Sequence, residues 1–227
     1  MESVANAPQG LIAAPTPASP RRRPWNLDPS ESRPRSDRFI RAGAGLLAAA
    51  LLLAAAPARA DVSVGDVRFV GEATALGEPV QLKGTGLFRW KWVVKVYAAA
   101  FYLPAGVDRF EPADDVARRL EFNYLVGIQG SDFGPAADKL LARNFPEETL
   151  APLRDRLERL HATYVDVKPG DRYALSYLPG QGTELTLNGR RLALVEGADF
   201  ARVYFAIWLG QRPLDDGMRD RLLARND

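Results

Sequence analysis

Strand-type patterning fills residues 62–126 with no helical stretch between, helical patterning follows, and the same order then repeats once. Residues 62–70, 80–88, 89–103 and 119–126 read as strands, and residues 71–77, bounded by Gly71 and Gly77, read as a break. Helices at 131–144 and 147–162 carry apolar residues at a spacing of three and four. Strands return at 172–178 and 184–187, the latter facing a partner that carries Leu192 and Leu194, and helices at 198–209 and 215–224 close the chain. A parallel doubly wound sheet requires regular alternation of strand and helix. This order therefore predicts an α+β fold on an antiparallel sheet. The clearest turn is Asn188-Gly189, because a type I′ hairpin needs positive φ at both central residues. Ser131 and Asp132 are N-cap candidates for the first helix, and Pro146 is its stop.

Ahead of this pattern lie two stretches of different character. Residues 1–38 hold seven prolines and the Arg21-Arg22-Arg23 run, with too little apolar surface to offset chain entropy, and are expected to be disordered. Arg38-Phe39-Ile40-Arg41 then leads into 17 uncharged residues, 42–58, ending in Ala58-Arg59-Ala60. Basic flank, apolar run and small-x-small site make residues 39–60 a signal peptide. The run is shorter than the roughly 20 residues a membrane span requires, and an uncleaved membrane anchor is the alternative reading. Export with cleavage near Ala60 is expected, leaving residues 61–227 as one domain, periplasmic or secreted and not membrane-spanning.

Composition removes several classes of chemistry. The chain has no Cys and one His, so it offers no disulfide framework, no thiolate nucleophile and no multi-histidine metal site. No metal or cofactor is expected. The net charge of +2 is small, and it is unevenly placed. Residues 1–60 hold 8 Arg against 4 acids, whereas residues 61–227 hold 22 Lys and Arg against 24 acids. The basic character belongs to the leader, and no nucleic-acid partner is expected.

Few motifs carry chemistry. Gly84-x-Gly86 lacks the third glycine of a dinucleotide fingerprint, since position 89 is Arg, and it is followed by strand formers. It reads instead as a bulge or a close approach of backbone. His161 falls on the apolar stripe of its helix and reads as a core or boundary residue.

The run 89–103 is more informative. At period two, one face carries Arg89, Lys91, Val93, Lys95, Tyr97, Ala99 and Phe101, and the other carries Trp90, Trp92, Val94, Val96, Ala98, Ala100 and Tyr102. The second face is wholly core-like. The first grades from cationic to apolar past a phenol, which suits a cleft for the acid end of an apolar ligand. Arg89 and Tyr97 are the candidate binding or catalytic residues, with Tyr124 of the next strand as a third ligand contact. A half-exposed strand with solvated cations and a packed Tyr fits the same pattern.

Gly84-Thr85-Gly86-Leu87-Phe88-Arg89, running on to Lys95-Val96-Tyr97-Ala98-Ala99-Ala100-Phe101-Tyr102-Leu103, resembles the chalcone isomerase-like family, in particular its exported bacterial branch. The resemblance continues through residues 120–124, Gly170-Asp171, Pro179-Gly180-Gln181-Gly182-Thr183, Asn188-Gly189, Phe200 and Ile207-Trp208-Leu209-Gly210. It implies an open-faced sandwich, a large antiparallel sheet covered by a helical layer. It also implies one of two functions: cofactor-free cyclisation of chalcones, or fatty-acid binding in the same cleft.

The family's enzymes use an Arg after the Gly-x-Gly, a Thr in the next strand, a Tyr after the third strand, and Asn and Ser/Thr residues in helices. Arg89 fits the first, one residue later than in the plant pattern. Tyr97 stands where the Thr would be, Ser131 or Phe133 in the region of the Tyr, and Ile207 where the late Ser/Thr would be. Proton transfer at a phenol needs positioned hydrogen-bond partners, so these departures argue against true chalcone isomerase activity. The resemblance thus implies a protein that binds a small apolar acid or lipid-like ligand. The alternatives are an intramolecular lyase or isomerase, with Arg89 as oxyanion stabiliser and Tyr97 as proton carrier, and a non-catalytic interaction module with a filled cleft.

Overall fold

Seven antiparallel strands in sequence order make the main sheet of the computed structural model, which describes residues 60–225. They are β3 (Glu72–Ala75), β4 (Glu78–Trp90), β5 (Val94–Leu103), β6 (Arg118–Tyr124), β7 (Arg172–Leu178), β8 (Gly182–Leu187) and β9 (Arg190–Val195). Before them, β1 (Val62–Val64) and β2 (Val67–Phe69) pair as a separate small hairpin. The helices are α1 (Gly130–Asn144), α2 (Glu147–Leu150), α3 (Arg154–His161), α4 (Ala198–Leu209) and α5 (Asp216–Leu222), with a 3₁₀ turn, Ala151–Leu153, between α2 and α3. The expected α+β open-faced sandwich is present. The disordered leader expected at 1–38, and residues 39–59 of the expected signal peptide, lie outside the described residues. No helix among the described residues is long and apolar enough to cross a membrane.

Alternation along the strands divides the apolar residues between two faces. Tyr97, Ala99 and Phe101 of β5, Leu120, Phe122 and Tyr124 of β6, and Tyr173, Leu175 and Tyr177 of β7 face the helices and form the larger core. Ala98, Ala100 and Tyr102 point the other way, onto Val67 and Phe69 of the small hairpin. Beyond that hairpin the outer face is polar. Glu121 pairs there with Arg172 and, at 3.0 Å, with Arg119. On the covered face, α4 carries Asp199 and Arg202 on its exposed side and buries most of the rest of its surface, all of it apolar or aromatic, between the sheet and its neighbours.

Several expectations need correction. The run read as one strand over 62–70 is the β1–β2 hairpin, and the helix read over 147–162 is broken by the 3₁₀ turn at Ala151–Leu153. The strand read as 89–103 is two strands joined by a turn at Lys91-Trp92-Val93, in which Lys91 and Trp92 adopt φ of 49° and 66°. A bulge between Phe88 and Arg89 further breaks the alternation. The face read as wholly core-like is therefore buried only from Ala98 onward, and Trp90, Trp92, Val93 and Val94 are exposed. The segment read as a break, in turn, contains β3, which pairs Glu72 with Gln81 and Ala75 with Glu78.

Helix α1 also starts differently. Its N-cap is Gln129, which makes no side-chain cap bond; the Gly130 N–H instead donates to Asp166 Oδ1 at 2.8 Å. The Gly84-x-Gly86 reading holds. A bulge lies between Leu82 and Gly84, and a Cβ built on Gly84 would fall 2.1 Å from the Arg221 carbonyl oxygen of α5.

Candidate functional site

Because every second residue of β5 and β6 faces the helices, Tyr97 and Tyr124 come to lie side by side, their ring centroids 5.7 Å apart. Helices α1 and α4 cross above them and leave a pocket of about 230 Å³. Phe133 from α1, Tyr204 and Trp208 from α4, and Tyr164 from the segment after α3 complete an aromatic wall. The wall is ordered by ring contacts: Tyr97 stacks on Phe88 at 5.2 Å, Tyr124 meets Phe133 edge-on at 5.8 Å, and Phe133 stacks on Tyr164 at 4.8 Å. Rings held this way present rigid apolar surface at little entropic cost.

The polar atoms are few. Trp208 Nε1–H donates to the Tyr97 hydroxyl at 3.2 Å, which leaves the Tyr97 proton free to donate. The Tyr164 and Tyr204 hydroxyls bond each other at 3.0 Å. No group among the described residues hydrogen-bonds the Tyr124 hydroxyl, although the residue is buried. Burial pushes Tyr97 well above the usual phenol range, the Trp208 bond offsetting only part of the rise. Burial, reinforced by Tyr97, does the same to Tyr124. Both therefore stay protonated donors at physiological pH. The one charged residue lining the pocket is Asp132, exposed on α1.

Arg89 is placed differently. It is exposed at the end of β4 and lines an adjoining, wider groove with Asp215, Asp216 and Arg221. Phe88 and Leu214 line both spaces, so the groove adjoins the pocket. The structure thus brings Tyr97 and Tyr124 together and sets Arg89 just outside. Phe133 and Ile207, which stand at positions where the resemblance would put polar catalytic groups, both line the pocket.

Periodicity gave no sign of Tyr204 and Trp208. They recur at i and i+4 on a helix whose charged residues are Asp199 and Arg202 alone, and a broad apolar and aromatic stripe of this kind reads as core. His161 is a boundary residue, as its place on the apolar stripe predicts. Its Nδ1 lies 3.7 Å from Asp138, its Nε2 is buried without a hydrogen bond, and burial lowers its pKa despite Asp138. No group of three or more His, Asp or Glu among the described residues is arranged to hold a metal ion.

Three comparisons bear on this arrangement. A family model described as chalcone isomerase-like matches residues 61–224. The crystal structure of a fatty-acid binding protein from Arabidopsis thaliana superposes with a TM-score of 0.54 at 16% identity, covering 72% of this chain and 95% of that one. No curated protein matches the chain. At that identity the structural likeness shows the fold alone.

Proposed function

Because the chain belongs to the chalcone isomerase-like family, we propose that it binds a small apolar acid or lipid-like molecule and does not cyclise chalcones. The observation that carries this is the aromatic pocket of about 230 Å³, lined by four tyrosines whose phenols burial keeps protonated and by a single charged residue. Its size lies below the roughly 300–1,000 Å³ of sites that enclose a drug-sized ligand, which suits an alkyl chain or one ring. The apolar end sits among Phe133, Tyr204 and Trp208. The acid end turns toward the groove, within the donor range of Tyr97 and Tyr124, and pairs with Arg89. The fold shared with the Arabidopsis fatty-acid binding protein supports a lipid-like ligand.

The lyase or isomerase reading finds less support. A proton carrier works best with a pKa near the working pH, and burial moves Tyr97 the opposite way. An interaction module with a filled cleft is disfavoured by the open volume between α1 and α4.

Arg89→Ala tests the placement of the acid end. A charge-assisted hydrogen bond contributes about 1.5–3 kcal/mol, so the variant should bind a fatty acid roughly tenfold to a hundredfold more weakly in a calorimetric titration. Lys should restore little, because it lacks the planar fork. Unchanged affinity for every acid tested would remove Arg89 from the site. We also propose that residues 39–60 direct export; N-terminal sequencing of periplasmic protein should find a start near Asp61, and a start before Ala42 in a membrane fraction would contradict it.

A further inference from the structure

The β4–β5 turn puts its most apolar residues where water is. Trp92 is 88% exposed and Val93 82%, with Trp90 and Val94 beside them at 43% and 49%. Arg89, Lys91 and Lys95 flank these four, and there is no acid from Arg89 to Lys95. Among the described residues no carboxylate pairs with any of the three cations. Arg89 and Lys95 are direct register partners, a like-charge pairing that destabilises a hairpin. Lys91 and Trp92 also hold positive φ, which bulky side chains rarely adopt. Exposed Trp, like charges face to face and a left-handed backbone all work against the isolated hairpin, so their joint presence calls for something outside it.

We propose that this tip docks on a lipid surface bearing anionic headgroups. Tryptophan favours the boundary between headgroups and acyl chains, and Val93 beside it extends the apolar contact. Lys91, whose Nζ lies 4.8 Å from the Trp90 ring, and Lys95 keep their charges at headgroup level on long apolar stems. Anionic lipid cancels the repulsion between Arg89 and Lys95 and covers the indole. A neutral protein groove would meet only the second need, which is why charge favours a membrane. The residues 61–227 as a whole are slightly acidic, so the attraction is local to this tip. Phe88, one residue from Arg89, lines the apolar pocket, so docking would bring the pocket's groove close to the lipid. The docking itself does not depend on the pocket holding a ligand.

The absence of Cys makes the test local. Val93→Cys in the full chain gives a single site for an environment-sensitive fluorophore. Gln181→Cys, in the turn between β7 and β8 at the opposite end of the strands, is the control. Vesicles of phosphatidylcholine mixed with phosphatidylglycerol should raise the emission at 93 severalfold and shift it to the blue, while the label at 181 stays unchanged. The leader is common to both proteins, so its own affinity for vesicles cannot produce that difference. Lys91→Gln with Lys95→Gln should weaken docking through the tip roughly thirtyfold in a protein that still melts cooperatively, at a temperature equal to or above wild type because the repulsion from Arg89 is relieved. An unshifted label at 93, or an equal shift on phosphatidylcholine alone, would overturn the proposal. So would a shift that follows protein concentration without vesicles, which would mark the tip as a contact between two copies.

Discussion

Ala137→Phe should abolish tight binding of an apolar acid while leaving the protein folded. Ala137 lies on α1 with 7% of its surface exposed, and its methyl group lines the pocket. A benzyl group at that position occupies the space an alkyl chain would take. Each methylene denied burial costs about 0.8 kcal/mol, so excluding three or four of them weakens binding roughly a hundredfold. The introduced ring fills a void instead of crowding a packed core, and its own burial offsets any adjustment of Phe133 or Tyr204. Calorimetric titration with a fatty acid, beside a thermal melt, separates the two effects. A folded variant that binds as wild type does would show that the ligand lies elsewhere.

The second large effect is on stability. In an ordinary strand Gly→Ala stabilises by about 0.4–1 kcal/mol, because it restricts the unfolded chain. Gly84→Ala should do the reverse. Its Cβ would meet the Arg221 and Leu222 carbonyl oxygens at 2.1 and 2.5 Å, and both are backbone atoms that cannot rotate away. Helix α5, which buries Met218 and Leu222 completely, must lift off β4. Overpacking of this kind costs about 1–3 kcal/mol, and each kcal/mol lowers the melting temperature of a domain this size by about 2–4 °C. Gly127→Ala, whose Cβ would sit at an ordinary 3.5 Å from the Val167 carbonyl, serves as the control and should melt near wild type. Leu214, which lines the pocket just ahead of α5, should shift with the helix, so Gly84→Ala should also weaken ligand binding.

The sequence was most legible where one local rule decides the outcome. Asn188 and Gly189 have φ of 50° and 80°, as a two-residue hairpin turn demands, and the surrounding strands follow. The bounds of β7 and α4 agree with those read from residue patterning. Legibility failed where a turn is built without turn residues. Nothing in Lys91-Trp92-Val93 announces a reversal, and the apolar run carries straight through it. The short strand β3 escaped for the opposite reason: Gly71 and Gly77 bracket it so closely that the segment looks like a loop, and its edge pairing with β4 is a tertiary fact.

The site divides the same way. Tyr97 and Tyr124 were visible because alternation puts both on the covered face of neighbouring strands. Placing Arg89 on that face relied on an unbroken strand, and the bulge after Phe88 with the turn beyond it carries Arg89 to the rim. The contributions of α1 and α4 depend on how two helices cross above the sheet, which no single-segment pattern encodes.

In the proposed function, the space between α1, α4 and the sheet holds an apolar ligand. Mass spectrometry of small molecules released from the purified wild-type protein tests it most directly, with Ala137→Phe purified in parallel. Wild type should release an apolar acid or lipid-like compound in near-stoichiometric amount, and the variant should release none. Equal amounts released from both proteins, or none from wild type together with no binding of any added fatty acid, would contradict it.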